Sequence, residues 1–129
     1  MSAMQQVFHR ESIDLSVLTG FAEWQGDEES DLVVELIDLY LTDSSRRLAD
    51  MRQALATSDN TLLARAAHSL RGSSGTLGAW RVAESCEALE RLDFDVAFAE
   101  VAVVLDRLDQ ELVSVRRTFL VTRQERTRT

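Results

Sequence analysis

The chain has 129 residues, enough for one domain with its own core, and 45% of them are hydrophobic while only 6% are aromatic. Proline is absent and there are 5 glycines, a composition that suits a helical bundle better than any β architecture. The net charge is −8 and uneven: residues 1–115 hold 9 arginines against 21 acids, whereas residues 116–129 hold 5 arginines against Glu125. An acidic body of this kind argues against a nucleic-acid platform, and no apolar run is long enough to span a bilayer. The single cysteine cannot form an intrachain disulfide, so a reducing, cytoplasmic setting is expected.

In chain order, residues 1–11 are polar, mixed and without a signal-peptide core, and are expected to be flexible. Ile13, Leu15, Val17, Leu18 and Phe21 then predict a short helix capped near Ser12 or Asp14. Gln25–Ser30 reads as a turn into an acid-rich helix start. A long amphipathic helix is predicted over about 30–56, with Val33, Leu36, Ile37, Tyr40, Leu41, Ser44, Leu48, Met51 and Leu55 at helical spacing. Ser58-Asp59-Asn60 breaks it and caps a third helix that ends near Gly78. A shorter helix over about 80–92 presents Val82, Cys86 and Leu89, which makes Cys86 a core residue and not a nucleophile. After a turn at Asp93-Phe94-Asp95, the last helix shows Val101, Val104, Leu105, Leu108, Leu112, Val115 and Phe119 in a near-heptad stripe.

Short connections between long helices imply antiparallel neighbours. The expected fold is therefore all-α, an antiparallel up-down four-helix bundle with a short additional N-terminal helix. The domain is placed at 12–122, followed by a flexible basic tail at 123–129. The stripes can satisfy one another within one chain, so a monomer is expected.

Chemistry concentrates in the third helix. At 100° per residue, His68 shares a face with Thr61, Ala64, Arg65, Arg71, Gly72, Gly75 and Ala79, while Leu63, Ala66, Leu70 and Leu77 lie opposite, flanked by Ser73 and Ser74. The imidazole thus points outward, on a surface of small residues and arginines. Two glycines inside a helix cost about 1 kcal/mol each relative to alanine. They either let helices pack closely or leave room over His68 for another molecule, and their shared face with His68 favours the second. Catalytic alternatives are poor: His9 and His68 are the only histidines, and zinc spacings, a Walker loop and a dinucleotide fingerprint are all absent.

The segment His68-x-Leu70-Arg71-Gly72-x-Ser74-x-x-Leu77-Gly78 resembles the signature of histidine phosphotransfer (HPt) domains, the relay modules of multistep two-component signalling. Tyr40-x-x-Asp43 and Leu48 upstream and Cys86-x-x-Leu89-Glu90 downstream extend the likeness over roughly residues 12–115. Arg71 departs from the family, which usually has Lys there.

The resemblance implies a phosphocarrier that is not a turnover enzyme. Its His68 takes a phosphoryl group at Nε2 from an aspartate of one receiver domain and returns it to another. A neutral imidazole nitrogen suits such reversible transfer, since its unperturbed pKa lies near about 6.5. The implied partners are receiver domains of hybrid sensor kinases and response regulators, and no cofactor is expected, the Mg²⁺ residing in the receiver. Arg71 would offset charge on the phosphoryl oxygens, and Glu90 matches a family position whose side chain can hydrogen-bond Nδ1. Glu90 pairing instead with Arg91 or Arg81 is the competing reading. Ala64, Arg65, Ser69, Gly72 and Gly75 form the expected partner surface, although for Arg65 an ordinary solvated helix charge is the better reading. The rival function is a non-phosphorylated module that uses the same face to sequester a receiver or other regulator.

Overall fold

The computed structural model describes residues 13–21 and 31–128, and among them every regular element is a helix. The expected flexible start at 1–11 and the turn at Gln25–Ser30 lie outside the described residues. The helices are α1 (Leu15–Gly20), α2 (Leu32–Thr57), α3 (Asn60–Thr76), α4 (Trp80–Glu90) and α5 (Phe94–Arg126). Helices α2 to α5 run up and down as an antiparallel bundle in which α3 packs between α2 and α4, and α5 packs between the same two from the other side. The His68 helix and α5 therefore face each other across the diagonal of the bundle.

Aspartate caps start four of the helices, whereas α4 follows Ala79 without a side-chain cap. Asp14 caps α1, Asp31 caps α2, Asp59 caps α3 and Asp93 caps α5, each carboxylate accepting backbone N–H groups of the first turn. Ser58, in a left-handed conformation, closes α2 and leaves Asp59 free to open α3. The predicted stripes fill the core: Val33, Ile37, Tyr40, Met51, Leu63, Leu70, Val82, Cys86, Leu89, Leu105, Leu108, Leu112 and Phe119 are all essentially inaccessible. Burial pushes the Cys86 thiol up to about 12, helped by Glu90 and Glu111, which keeps it inert. The Tyr40 hydroxyl, also raised well above its usual range by burial, is satisfied by Ser74 at 2.7 Å.

Two expectations need correction. Helix α3 ends at Thr76, near Gly78 as expected, and Gly78 takes φ +82 and turns the chain. The helical projection therefore fails at Ala79, which is completely buried instead of sharing the surface of His68. The C-terminal helix also runs past 122 to Arg126. Arg123 reaches Asp38 at 2.7 Å and Arg126 reaches Asp31 at 2.7 Å, so two of the three arginines at 123–129 tie the end of α5 to the start of α2.

The turn between α3 and α4 also anchors α1. Gly78 O accepts from Asp14 N at 2.7 Å, and a Cβ on Gly78 would stand 2.6 Å from Asp14 O. Gly78→Ala is expected to cost about 1–3 kcal/mol, since it combines a left-handed backbone with a clash against main chain. Urea denaturation of the variant beside the native chain measures this. A second outcome concerns pH. Burial raises the Asp31 carboxyl, but Arg126 and the N–H groups of Val34 and Val33 outweigh it, leaving it below 3.8. The stabilisation from Asp31 is therefore whole above its ordinary value and fades as pH falls through the depressed one. Asp31→Ala should cost about 1 kcal/mol at neutral pH, with the gap to the native chain narrowing in acid melts.

Candidate functional site

His68 sits in the middle of α3 with its side chain 71% exposed. The α3–α4 hairpin brings Glu90 to it. His68 lies 8 residues before the end of α3 and Glu90 lies 10 residues after the start of α4. At 1.5 Å per residue those are heights of about 12 and 15 Å above the shared turn, so two antiparallel helices place the side chains level. Sequence spacing alone could not supply this pairing, which depends on where the turn falls.

The geometry is specific. His68 Nδ1 lies 2.7 Å from Glu90 Oε1. An ionised carboxylate only accepts hydrogen bonds, so Nδ1 carries the proton and the lone pair of the neutral ring is on Nε2. The other carboxylate oxygen, Oε2, is buried and has Arg71 Nη1 at 3.1 Å, an ion-pair contact that falls outside hydrogen-bond alignment. Glu90 is 19% exposed and thus held from two sides. The competing partners drop out: Arg91 pairs with Glu87 at 2.7 Å, and Arg81 lies with Glu84, Ser85, Arg107 and Glu111 in a separate polar depression.

Beside the imidazole is an open depression of about 600 Å³ lined by Asn60, Thr61, Ala64, Arg65, His68, Ser69 and Glu90. Ala64 is exposed, Ser69 is half-buried, and Arg65 is exposed without an ion pair among the described residues. Arg71, Gly72 and Gly75 lie outside this depression, further along α3. A Cβ placed on Gly72 or Gly75 would meet nothing within 4 Å, so neither glycine is needed for helix packing. Among the described residues no group of three potential ligands is arranged to hold a metal ion.

Sequence reasoning missed two features. Asn60 lines the depression and fixes its rim, donating to Asp93 at 3.2 Å and accepting from Phe94 N at 2.9 Å. An apolar groove of about 390 Å³ runs between α2 and α3, lined by Leu36, Leu39, Tyr40, Asp43, Ser73, Thr76 and Leu77. Its signal was present in the chain: Leu39 is an apolar residue off the core stripe of α2, and it is 68% exposed.

The family model described as "Hpt domain" matches residues 35–118, well over half of the chain. The chain belongs to the Hpt domain family. This Hpt domain is similar to the crystal structure of histidine-containing phosphotransfer protein B from Pseudomonas aeruginosa PAO1, with a TM-score of 0.78 at 29% identity, over 88% of this chain and 96% of that one. It is also similar to multistep phosphorelay regulator 1 of Schizosaccharomyces pombe, 28% identical over 81 residues, which are 63% of this chain. The match spans only 28% of that relative's length. Among the described residues of this Hpt domain, no helix is long and apolar enough to cross a membrane.

The open space over the two glycines gives a separable outcome. Gly72→Ala should stabilise the fold by about 1 kcal/mol in thermal melts, because alanine is the better helix former and nothing obstructs it. The same variant should slow phosphoryl exchange with a receiver, measured by rapid-quench kinetics, if a partner's surface has to approach that spot.

Proposed function

We propose that this Hpt domain relays a phosphoryl group through His68 between aspartates of receiver domains in hybrid sensor kinases and response regulators. The observation that carries the proposal is the 2.7 Å contact between His68 Nδ1 and Glu90, which turns the lone pair on Nε2 towards solvent. In the forward step Nε2 attacks the phosphorus of a receiver's aspartyl phosphate. The N–P bond forms, the O–P bond breaks, and the aspartate leaves as a carboxylate. The ring becomes cationic because its proton stays on Nδ1, hydrogen-bonded to Glu90, whose negative charge offsets that of the ring. The return step reverses each bond change at another aspartate.

Such transfer depends on in-line placement and charge compensation more than on covalent chemistry in the carrier. Arg71, one helical turn from His68 and 42% exposed, is the cation placed to offset charge on the phosphoryl oxygens. Arginine keeps the sign of the family's usual lysine but brings a planar fork, which here also reaches Glu90. No cofactor is assigned to this chain; Mg²⁺ belongs to the receiver in this reading, and the chain is a carrier without kinase or ATPase activity of its own. Ala64, Arg65, Ser69, Gly72 and Gly75 form the docking surface, and the Leu36–Leu39 groove extends it onto α2. Arg65 is free to meet an acidic receiver pocket. The domain is read as working in the cytoplasm.

The test is phosphotransfer from a panel of phosphorylated receiver domains to the native chain and to His68→Gln. The native chain should acquire an acid-labile, base-stable label and the variant none. Binding of a receiver without any label on the native chain would overturn the relay and leave a sequestering module.

A further inference from the structure

We propose that the outward face of α5 is a self-complementary seam through which two copies of this chain associate antiparallel, about a two-fold axis. This replaces the monomer that the sequence suggests. It concerns the side of the bundle away from the His68 helix and goes beyond the phosphorelay role.

The outward face of a surface helix is ordinarily polar, because its inner stripe already supplies the core. On α5 the inner stripe is complete, yet Val103, Val113 and Leu120 remain 65%, 44% and 48% exposed. They fall in one row with Asp106, Gln110 and Arg117, at alternating spacings of three and four residues. That is the spacing of a helix-pairing seam. Asp106 and Arg117 are exposed, and neither has an ion-pair partner among the described residues. This sets them apart from Arg123 and Arg126 on the same helix, which are bonded to α2.

The order of these residues decides the geometry. A parallel pair in register would place Asp106 on Asp106 and Arg117 on Arg117, two like-charge layers. An antiparallel pair places Val103 on Leu120 of the second copy, Asp106 on Arg117 and Gln110 on Val113, and the two-fold axis repeats each layer. Shifting that arrangement by one heptad sets Val103 against Val113 but leaves Asp106 facing Gln110 and Arg117 facing Ala99. The charges therefore select one register, and an isologous contact closes at two copies. The paired row spans about 26 Å at 1.5 Å per residue, a short seam with polar layers, so the association is weak.

Geometry ties this to the fold. Helices α3 and α5 lie across the diagonal of the bundle, so joining two α5 faces leaves both His68 surfaces turned outward. The dimer would present two independent carrier sites on opposite sides.

The test is sedimentation equilibrium of the full chain up to the millimolar range, with Asp106→Arg, Arg117→Asp and an equimolar mixture of the two. The native chain should dimerise reversibly, and each single variant should weaken association by about tenfold or more, since two attractive layers become repulsive. The mixture should regain native strength, because a mixed pair again matches opposite charges in both layers. Circular dichroism and unchanged phosphoryl acceptance would show that the variants are folded. A native chain that stays monomeric throughout, or a mixture no stronger than its separate components, overturns the proposal.

Discussion

Everything at the candidate site depends on α3 and α4 meeting at a fixed height. The His68–Glu90 contact joins residues that are 22 apart in sequence, and only the position of the hairpin turn makes them level. Gly78 sets that turn. Its left-handed backbone ends α3, its carbonyl receives Asp14 N, and the following Ala79 is packed away completely. Inserting one residue within α4 ahead of Glu90 would rotate that side chain by about 100° around the helix and carry it off the imidazole. A structural glycine at the end of the bundle thus has a direct bearing on the chemistry partway along it.

The inner face of α3 explains how an exposed histidine can be held firmly. Ala66, Ala67 and Ser74 are small and fully buried, which lets neighbouring helices approach α3 closely. Ser74 also answers a polar demand, because a buried Tyr40 hydroxyl with no partner would cost about 1–3 kcal/mol. One helix therefore has two faces of small residues for different reasons. Inside, alanine and serine fit between packed elements; outside, a side chain added at Gly72 or Gly75 would meet nothing within 4 Å. Ordering His68 from both directions, by core packing beneath and by Glu90 beside it, costs little further entropy when a partner docks.

The helices and the core were legible because period and capping chemistry agreed along the whole chain. Tyr40, Leu63, Leu70, Cys86 and Leu112 were assigned inward from periodicity and are buried. The prominence of His68 was legible too, since its face lacked any large apolar residue. Glu90 was harder, because an acid on an amphipathic helix has several arginines within sequence reach, and only tertiary register chooses Arg71 over Arg81 and Arg91. Ala79 went wrong where a helical projection was carried through a left-handed residue. The end of α5 went wrong for an electrostatic reason: Asp31 and Asp38 lie more than 80 residues away in sequence, so the partners of Arg123 and Arg126 were invisible there. The groove at Leu39 belongs to the same class, being formed jointly by two helices.

The charge pattern acquires a meaning that composition could not give. The C-terminal arginines look like a detachable basic tail, yet two of them close the bundle against the acidic start of α2. On α3 the same residue type serves a different end. Arg71 is anchored to the carboxylate that orients His68, whereas Arg65 points into the depression with no counter-ion among the described residues. A guanidinium already committed to Glu90 sits at a fixed location, so any anion arriving at Nε2 meets a positioned charge instead of recruiting a mobile one. A free guanidinium one turn earlier suits a different task, the first encounter with an acidic surface, where a mobile side chain costs nothing until contact. In the proposed relay, arginine at both positions, with opposite degrees of restraint, would divide docking from chemistry along one helix face.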